Sequence, residues 1–301
     1  MKKSLLLVLL LFSFNVMQGI AQNPEMHSPP PALYIVREDI KPGMMGAHNK
    51  HSANYVNIFK TLQTPNHRIA LVPVAGSENE VVYLTAVPSF AELERMLNDT
   101  DKKMGSVNGS MRSDLDRLDK EAAVLHAGMR DMLAVYRPDL SFNPNVDVRT
   151  MRYFSITTTR IRPGHDAQYV DYITKVINTA RQKAKVDSLH VAVYQVISGG
   201  PNGTYIVFRP MRSLAEMDVN LGMRVRAAMG DDARKDADKA VSEAVISSET
   251  STYWMTPAMS YVDKEFAAGD PTFWNTKTEA VAKPKPKMRP RKPNAPPPPA
   301  N

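Results

Sequence analysis

Leu33-Tyr-Ile-Val-Arg-Glu-Asp-Ile40-Lys-Pro42-Gly43 returns 121 residues later as Phe154-Ser-Ile-Thr-Thr-Thr-Arg-Ile161-Arg-Pro163-Gly164. Each stretch is a strand-like run closed by a Pro-Gly turn. The correspondence continues in order: His67 with His190, Gly76 with Gly199, Tyr83 with Tyr205, Pro88 with Pro210, Ser89 and Glu92 with Ser213 and Glu216. It ends with Met104-Gly105 against Met229-Gly230 and Ser141-Phe142 against Ser260-Tyr261. Ordered matches at a nearly constant offset predict an internal duplication, which decides the fold before any single element does. The copies span 33–144 and 153–263, with a linker at 145–152.

Both copies read alike. A strand (34–40; 153–161) meets the Pro-Gly turn and then a helix (44–62; 165–183). Two strands follow, 68–74 with 81–86 and 189–197 with 204–208, joined by glycine-containing loops. A second helix is predicted to open at Ser89 and at Ser213, each with a glutamate three residues on, the pattern of a capping box. A polar helical extension (115–133; 224–247) precedes a last short strand near 132–136 and 252–255. The order β-α-β-β-α-β is the split ferredoxin-like unit. The expected fold is α+β: two tandem ferredoxin-like units closing into one pseudo-dimeric α/β barrel, with long helical insertions.

This arrangement, with its Ile-x-Pro-Gly approach to the first helix (Ile40, Pro42, Gly43; Ile161, Pro163, Gly164), resembles the dimeric α/β-barrel superfamily. That group includes antibiotic-biosynthesis monooxygenases, stress-responsive barrel proteins, NIPSNAP-like proteins and haem-degrading relatives. The resemblance implies two units pairing their sheets into a barrel, here supplied by one chain so that oligomerisation is not required. It also implies ligands held between helix and sheet, and a monooxygenase or haem-handling activity as an alternative to plain binding. The long helical insertion departs from the compact family unit.

Outside the repeats the chain is of another character. Residues 1–21 begin with Lys2 and Lys3, continue as an apolar run of about a dozen residues and end in Gly19-Ile20-Ala21, the parts of a secretory signal peptide. The run is shorter than the ~20 residues a bilayer span needs. Export is therefore expected, to the periplasm or beyond the cell, with no transmembrane segment. A proline-rich linker (22–32) leads into the first copy, and a Lys/Pro-rich, disordered tail is expected over 264–301. The 301 residues carry a formal charge of +7, yet 277–301 holds seven basic residues and one acidic; with Lys2 and Lys3 set aside, 22–276 is left at −1. A nearly neutral folded part excludes nucleic-acid binding. The tail has two readings, attachment to an anionic envelope surface and a solubilising segment. The absence of cysteine excludes disulfides, thiolate metal sites and a thiol nucleophile.

Candidate site residues come from the first helices. Met44, His48, His51, Tyr55, Ile58 and Leu62 follow the core-facing stripe of a helix, and His165, Tyr169, Tyr172, Val176, Thr179 and Lys183 are the matching row. Polar and aromatic groups thus stand where aliphatic ones are expected. Either they line a ligand cavity, making His48, His51, Tyr55, His165, Tyr169 and Tyr172 the ligand-binding set, or they are satisfied core groups. His48 and His51, with Tyr55 or Asn54 to orient a substrate, are the acid–base candidates of the enzymatic alternative. A metal would draw on His48 and His51 with His67, His126 or Glu92, but the His-Glu-x-x-His signature is absent and no metal is expected. No cofactor is expected, haem entering only with the enzymatic alternative. The function expected is small-molecule binding or interaction by an exported, non-enzymatic protein; a monooxygenase or haem-handling enzyme and an envelope-associated structural protein are the alternatives.

Overall fold

The computed structural model describes residues 28–275. The segment read as a signal peptide, most of the linker after it and the tail from 276 onward lie outside them. In chain order the elements are β1 (Ala32–Ile40), α1 (Met45–Leu62), β2 (Ile69–Ala75), β3 (Glu80–Val87), α2 (Phe90–Gly105), α3 (Gly109–Leu125) and β4 (His126–Tyr136). Then follow β5 (Tyr153–Ile161), α4 (Asp166–Asp171), a π-helical stretch (Tyr172–Ile177) and α5 (Asn178–Lys183). The chain continues with β6 (Ala192–Ser198), β7 (Thr204–Met211), a 3-10 turn (Leu214–Met217), α6 (Leu221–Ala227), α7 (Asp231–Ala244), β8 (Val245–Met255), α8 (Lys264–Ala268) and α9 (Pro271–Trp274).

The strands close into one barrel in the order β1-β3-β2-β8-β5-β7-β6-β4. Within it the first four strands lie as β4-β1-β3-β2 and the last four as β8-β5-β7-β6, the same order twice. Two antiparallel seams join the halves, β2 to β8 and β4 to β6. The halves also share local detail. Gly43 and Gly164 both take positive φ, 81° and 85°, at the Pro-Gly turns, where a β-carbon would be strained. Both long edge pairings carry a register shift at the same place, between Asp39 and Ile40 against β4 and between Arg160 and Ile161 against β8.

Strand alternation sends one set of side chains inward. Leu33 and Ile35 of β1, Val82 and Leu84 of β3, Phe154 and Ile156 of β5, and Ile206 and Phe208 of β7 meet in a single core drawn from both halves. That interior is filled, the void beside Ile35, Val82 and Ile156 amounting to about 10 Å³, room for about one water. Arg37 reaches into it and donates two hydrogen bonds of 2.8 Å to Glu80, while Tyr253 from the other half donates to the same carboxylate at 2.5 Å. The outer faces carry the helices. His48, His51, Ser52, Val56, Ile58 and Phe59 form the buried stripe of α1; of the row expected from the sequence His48, His51 and Ile58 belong to it, while Tyr55 and Leu62 are half-buried and Met44 is exposed.

Several expectations are corrected. The last strands are 11 residues long and start at His126 and Val245, not near 132 and 252, because pairing with β1 and β5 takes over where the helices end. Residues 264–275, read as the start of the tail, form α8 and α9: Trp274 is buried in the barrel core and donates its indole N–H to Arg149 O at 2.8 Å. Ser89 caps α2 through the Glu92 N–H as expected, but Ser213 accepts from Ala215 and opens only the four-residue 3-10 turn. Thr179 and Lys183 are exposed, and Ala180 and Arg181 turn inward in their place. The π stretch is the reason: its wider turn displaces the α-helical row by one residue. No helix among the described residues is long and apolar enough to cross a membrane.

Candidate functional site

The two halves solve the space between helices and sheet differently. In the first, the 16-residue α2 lays Leu93 and Met96 over Ala32 and Val87. In the second its place is taken by a 3-10 turn of 4 residues and the 7-residue α6. A cleft of about 770 Å³ opens there between the outer face of β5 and β7 and the helices α5, α6 and α7. Ser155, Thr157, Val207 and Arg209 are its floor, and Leu221, Val225 and Met229 form an apolar wall. Tyr172, Ile177 and Arg181 project from the helix with the π stretch, so the irregular turn shapes the cleft.

The charges in this cleft are unevenly matched. Arg226 pairs with Asp238 through two hydrogen bonds of 2.9 Å. Arg181 has no such partner: it donates to Asn178 Oδ1 at 2.9 Å and lies 5.7 Å from the Phe142 ring. Burial lowers its pKa to about 10. Arg209 donates to the Glu216 backbone carbonyl at 3.1 Å, and burial pushes its pKa down as well. Among the described residues neither guanidinium makes an ion pair. A cation removed from water without a counter-charge is costly, and an incoming anion would supply one.

In the first half the helix-facing groups are packed. His48 is 0% exposed, its Nε2 lying 2.7 Å from Glu38 Oε2. His126, the first residue of β4, brings its Nε2 to 3.5 Å from the same oxygen. His51 is buried, with Nδ1 at 3.4 Å from Glu121, and Tyr55 donates to Asp119 at 2.5 Å. Burial pushes the His51 and His126 imidazoles below the ordinary histidine value, keeping them neutral at pH 7. Burial alone would raise the Glu38 pKa; the His48 hydrogen bond, helped by the Arg68 cation further off, outweighs it and lowers it. His48 Nδ1 and His126 Nε2 are buried without a hydrogen-bond partner.

The six candidate ligand residues are therefore divided. Tyr172 lines the cleft. Tyr169 is buried against Tyr205 at 4.8 Å, and His165 bonds Gln168 at the start of α4. His48, His51 and Tyr55 belong to the packed cluster of the other half. Asn54 is exposed, His67 stacks on Tyr261, and Glu92 pairs with Arg95 on the surface. Arg181, Arg209 and Glu38 were missed. Glu38 was readable, since it shares a strand face with Val36 and Ile40 and so points at α1. Arg181 was not, because an α-helical period turns it outward. Among the described residues no histidine lines the cleft, so the cleft offers a haem no imidazole ligand; His48 and His51 sit in the other half.

No protein-family model and no curated protein matches the sequence. Solved structures do resemble it in fold. A candidate monooxygenase of Fusobacterium nucleatum covers 75% of this chain with 93% of its own at 10% identity and a TM-score of 0.44. An anthrone oxidase-like protein covers 75% with 91% of its own at 12% identity and 0.47. A chlorite dismutase variant from Candidatus Nitrospira defluvii covers 81% with 98% of its own at 11% identity and 0.48. At 10–12% identity and TM-scores of 0.44–0.48, these likenesses lend this chain neither a family nor an activity.

Proposed function

We propose that the protein binds a small, largely apolar organic acid in the cleft of its second half, on a barrel made of two tandem ferredoxin-like copies. The observation that carries this is the pair Arg181 and Arg209, two guanidiniums without a carboxylate partner in a cleft with an apolar wall, whose other cation, Arg226, is paired with Asp238. A ligand carboxylate between them would gain charge-assisted hydrogen bonds while its apolar body covered Leu221, Val225 and Met229. The Lys/Pro tail and the N-terminal segment add export and contact with an anionic surface to the same proposal.

Calorimetric titration with aliphatic and aromatic carboxylates, each beside its amide or alcohol, tests the reading. Hydrogen bonds to charged groups are worth about 1.5–3 kcal/mol, so the neutral analogues should bind about 10- to 100-fold more weakly. Replacing Arg181 and Arg209 together by Met should remove that preference, and Tyr55→Phe in the other half should leave it intact. Equal affinity for acids and neutral analogues would defeat the reading.

Of the enzymatic alternatives, a cofactor-independent monooxygenase would use the same cleft, where Tyr172 is the only phenol among the lining residues. Oxygen uptake with a quinol-type substrate that falls in Tyr172→Phe would favour it over binding alone.

A further inference from the structure

We infer that Glu38, His48 and His126 form a binding site for one divalent first-row transition-metal ion, of which Zn²⁺ is the reference. The site lies in the first half and is independent of the cleft. Three elements converge on it: β1 gives Glu38, α1 gives His48 after the Pro42-Gly43 turn, and His126 stands where α3 passes directly into β4. The three donor atoms lie within 4.8 Å of one another. A tetrahedral ion with ligand bonds near 2.0–2.2 Å holds its donors about 3.3–3.5 Å apart, which is the His126–Glu38 separation of 3.5 Å. The His48–Glu38 contact of 2.7 Å would open by under an ångström to admit the ion.

What the cluster lacks without an ion is as telling. The nitrogen that His126 turns toward Glu38, Nε2, is buried without a hydrogen-bond partner, which is costly for a group removed from water. Two imidazoles and one carboxylate are a ligand set for zinc, or for iron(II) and its neighbours in the series. The fourth position falls to solvent, reached past the His126 side chain at 17% exposure, or to His51, whose ring lies 6.2 and 6.0 Å from the other two. His51 in turn touches Glu121, itself fixed by Arg117 at 2.7 Å, an outer layer of the kind that orients ligating imidazoles.

Comparison of the halves isolates the feature. By register and offset, Glu38, His48 and His126 correspond to Thr159, Tyr169 and Val245. All three donors are replaced, and Tyr169 packs on Tyr205 where the first half keeps its polar cluster. One copy of a shared framework thus carries a metal-ligand set and the other an ordinary core.

The test uses tag-free protein stripped with a chelator and titrated with Co²⁺ and Zn²⁺. The expected result is one ion per chain, with the visible absorption of low-symmetry Co²⁺ that Zn²⁺ abolishes. His126→Ala and Glu38→Gln should each weaken binding by at least the 10- to 100-fold that even an outer-shell partner is worth, while His67→Ala and His190→Ala should not. Should Glu38→Gln fail to fold, His126→Ala at the edge of the cluster decides alone. Absence of a stoichiometric ion in the parent protein, or affinity changed less than tenfold in His126→Ala, overturns the inference.

Discussion

Replacing Arg181 by methionine should make the protein more stable while disabling its cleft. The side chain is mostly removed from water, and burial has drawn its pKa down to about 10. Measured against the ordinary arginine value, at 1.36 kcal/mol for each tenfold change, keeping the charge costs the folded state about 3 kcal/mol. Because a base is lowered here, that cost is present at every pH below about 10 and fades only above it, so at neutral pH it is whole. Methionine keeps the unbranched stem near Phe142 and discards the cation, at the loss of the hydrogen bond to Asn178, worth about 1.5–3 kcal/mol. The net expectation is a gain of about 0–1.5 kcal/mol, in the direction of apolar replacements of buried ionic groups. For a chain of this size that raises the melting midpoint by at most about 6 °C. Calorimetric melting of Arg181→Met beside the parent provides the measurement, with Arg226→Met, which alters an exposed pair, as the control expected to move little. A carboxylate ligand should stabilise the parent and not the variant. A loss of more than about 1 kcal/mol in Arg181→Met, or ligand stabilisation that survives it, would refute the reasoning, since the cation would then be structurally satisfied.

Glu80→Gln leaves Arg37 unpaired at the barrel interior and should cost about 2–4 kcal/mol in urea unfolding, below the 3–5 of a fully buried pair because Arg37 keeps some water. Burial alone would raise the Glu80 pKa, but Arg37 and Tyr253 outweigh it and lower it, so the pair stabilises the fold above the ordinary glutamate range and loses that contribution as pH falls below it; the parent should lose more stability than Glu80→Gln on acidification from pH 5. Trp274→Ala should cost about 3–5 kcal/mol by chemical denaturation, and a near-neutral result would mean that α9 is not part of the core. Gly199 has φ of 79°, and a β-carbon there would strike the Asp131 carbonyl at the β4–β6 seam; Gly199→Ala should lose at least about 2 kcal/mol, whereas Gly230→Ala, with open space around it, should change little.

Much of this architecture can be read from residues. The twice-repeated Ile-x-Pro-Gly places a strand, a turn and a helix, and the His48-His51-Tyr55 row marks the buried face of α1. The structure departs where tertiary pairing overrides local pattern. Nothing at Leu125-His126 signals a helix end, since neither glycine nor proline interrupts the polar run; β1 recruits the strand as soon as its own register allows. That brings His126 to Glu38 across nearly ninety residues, a contact with no local trace in the chain. Arg181 was hidden for the opposite reason. A helical period is an assumption about every turn, and the wide turn at Tyr172–Ile177 breaks it.

The seams between the halves bear on how the chain is made. Until β6 and β8 exist, β4 and β2 offer bare backbone to any passing strand, the condition under which chains stick to one another. From Tyr136 to the end of β6 is 62 residues and to the end of β8 is 119. At about 5–20 residues per second, a ribosome leaves the first edge open for about 3–12 seconds and the second for about 6–24. A barrel closed from one chain thus exchanges the concentration dependence of a dimer for a timed exposure, in which aggregation competes with synthesis itself.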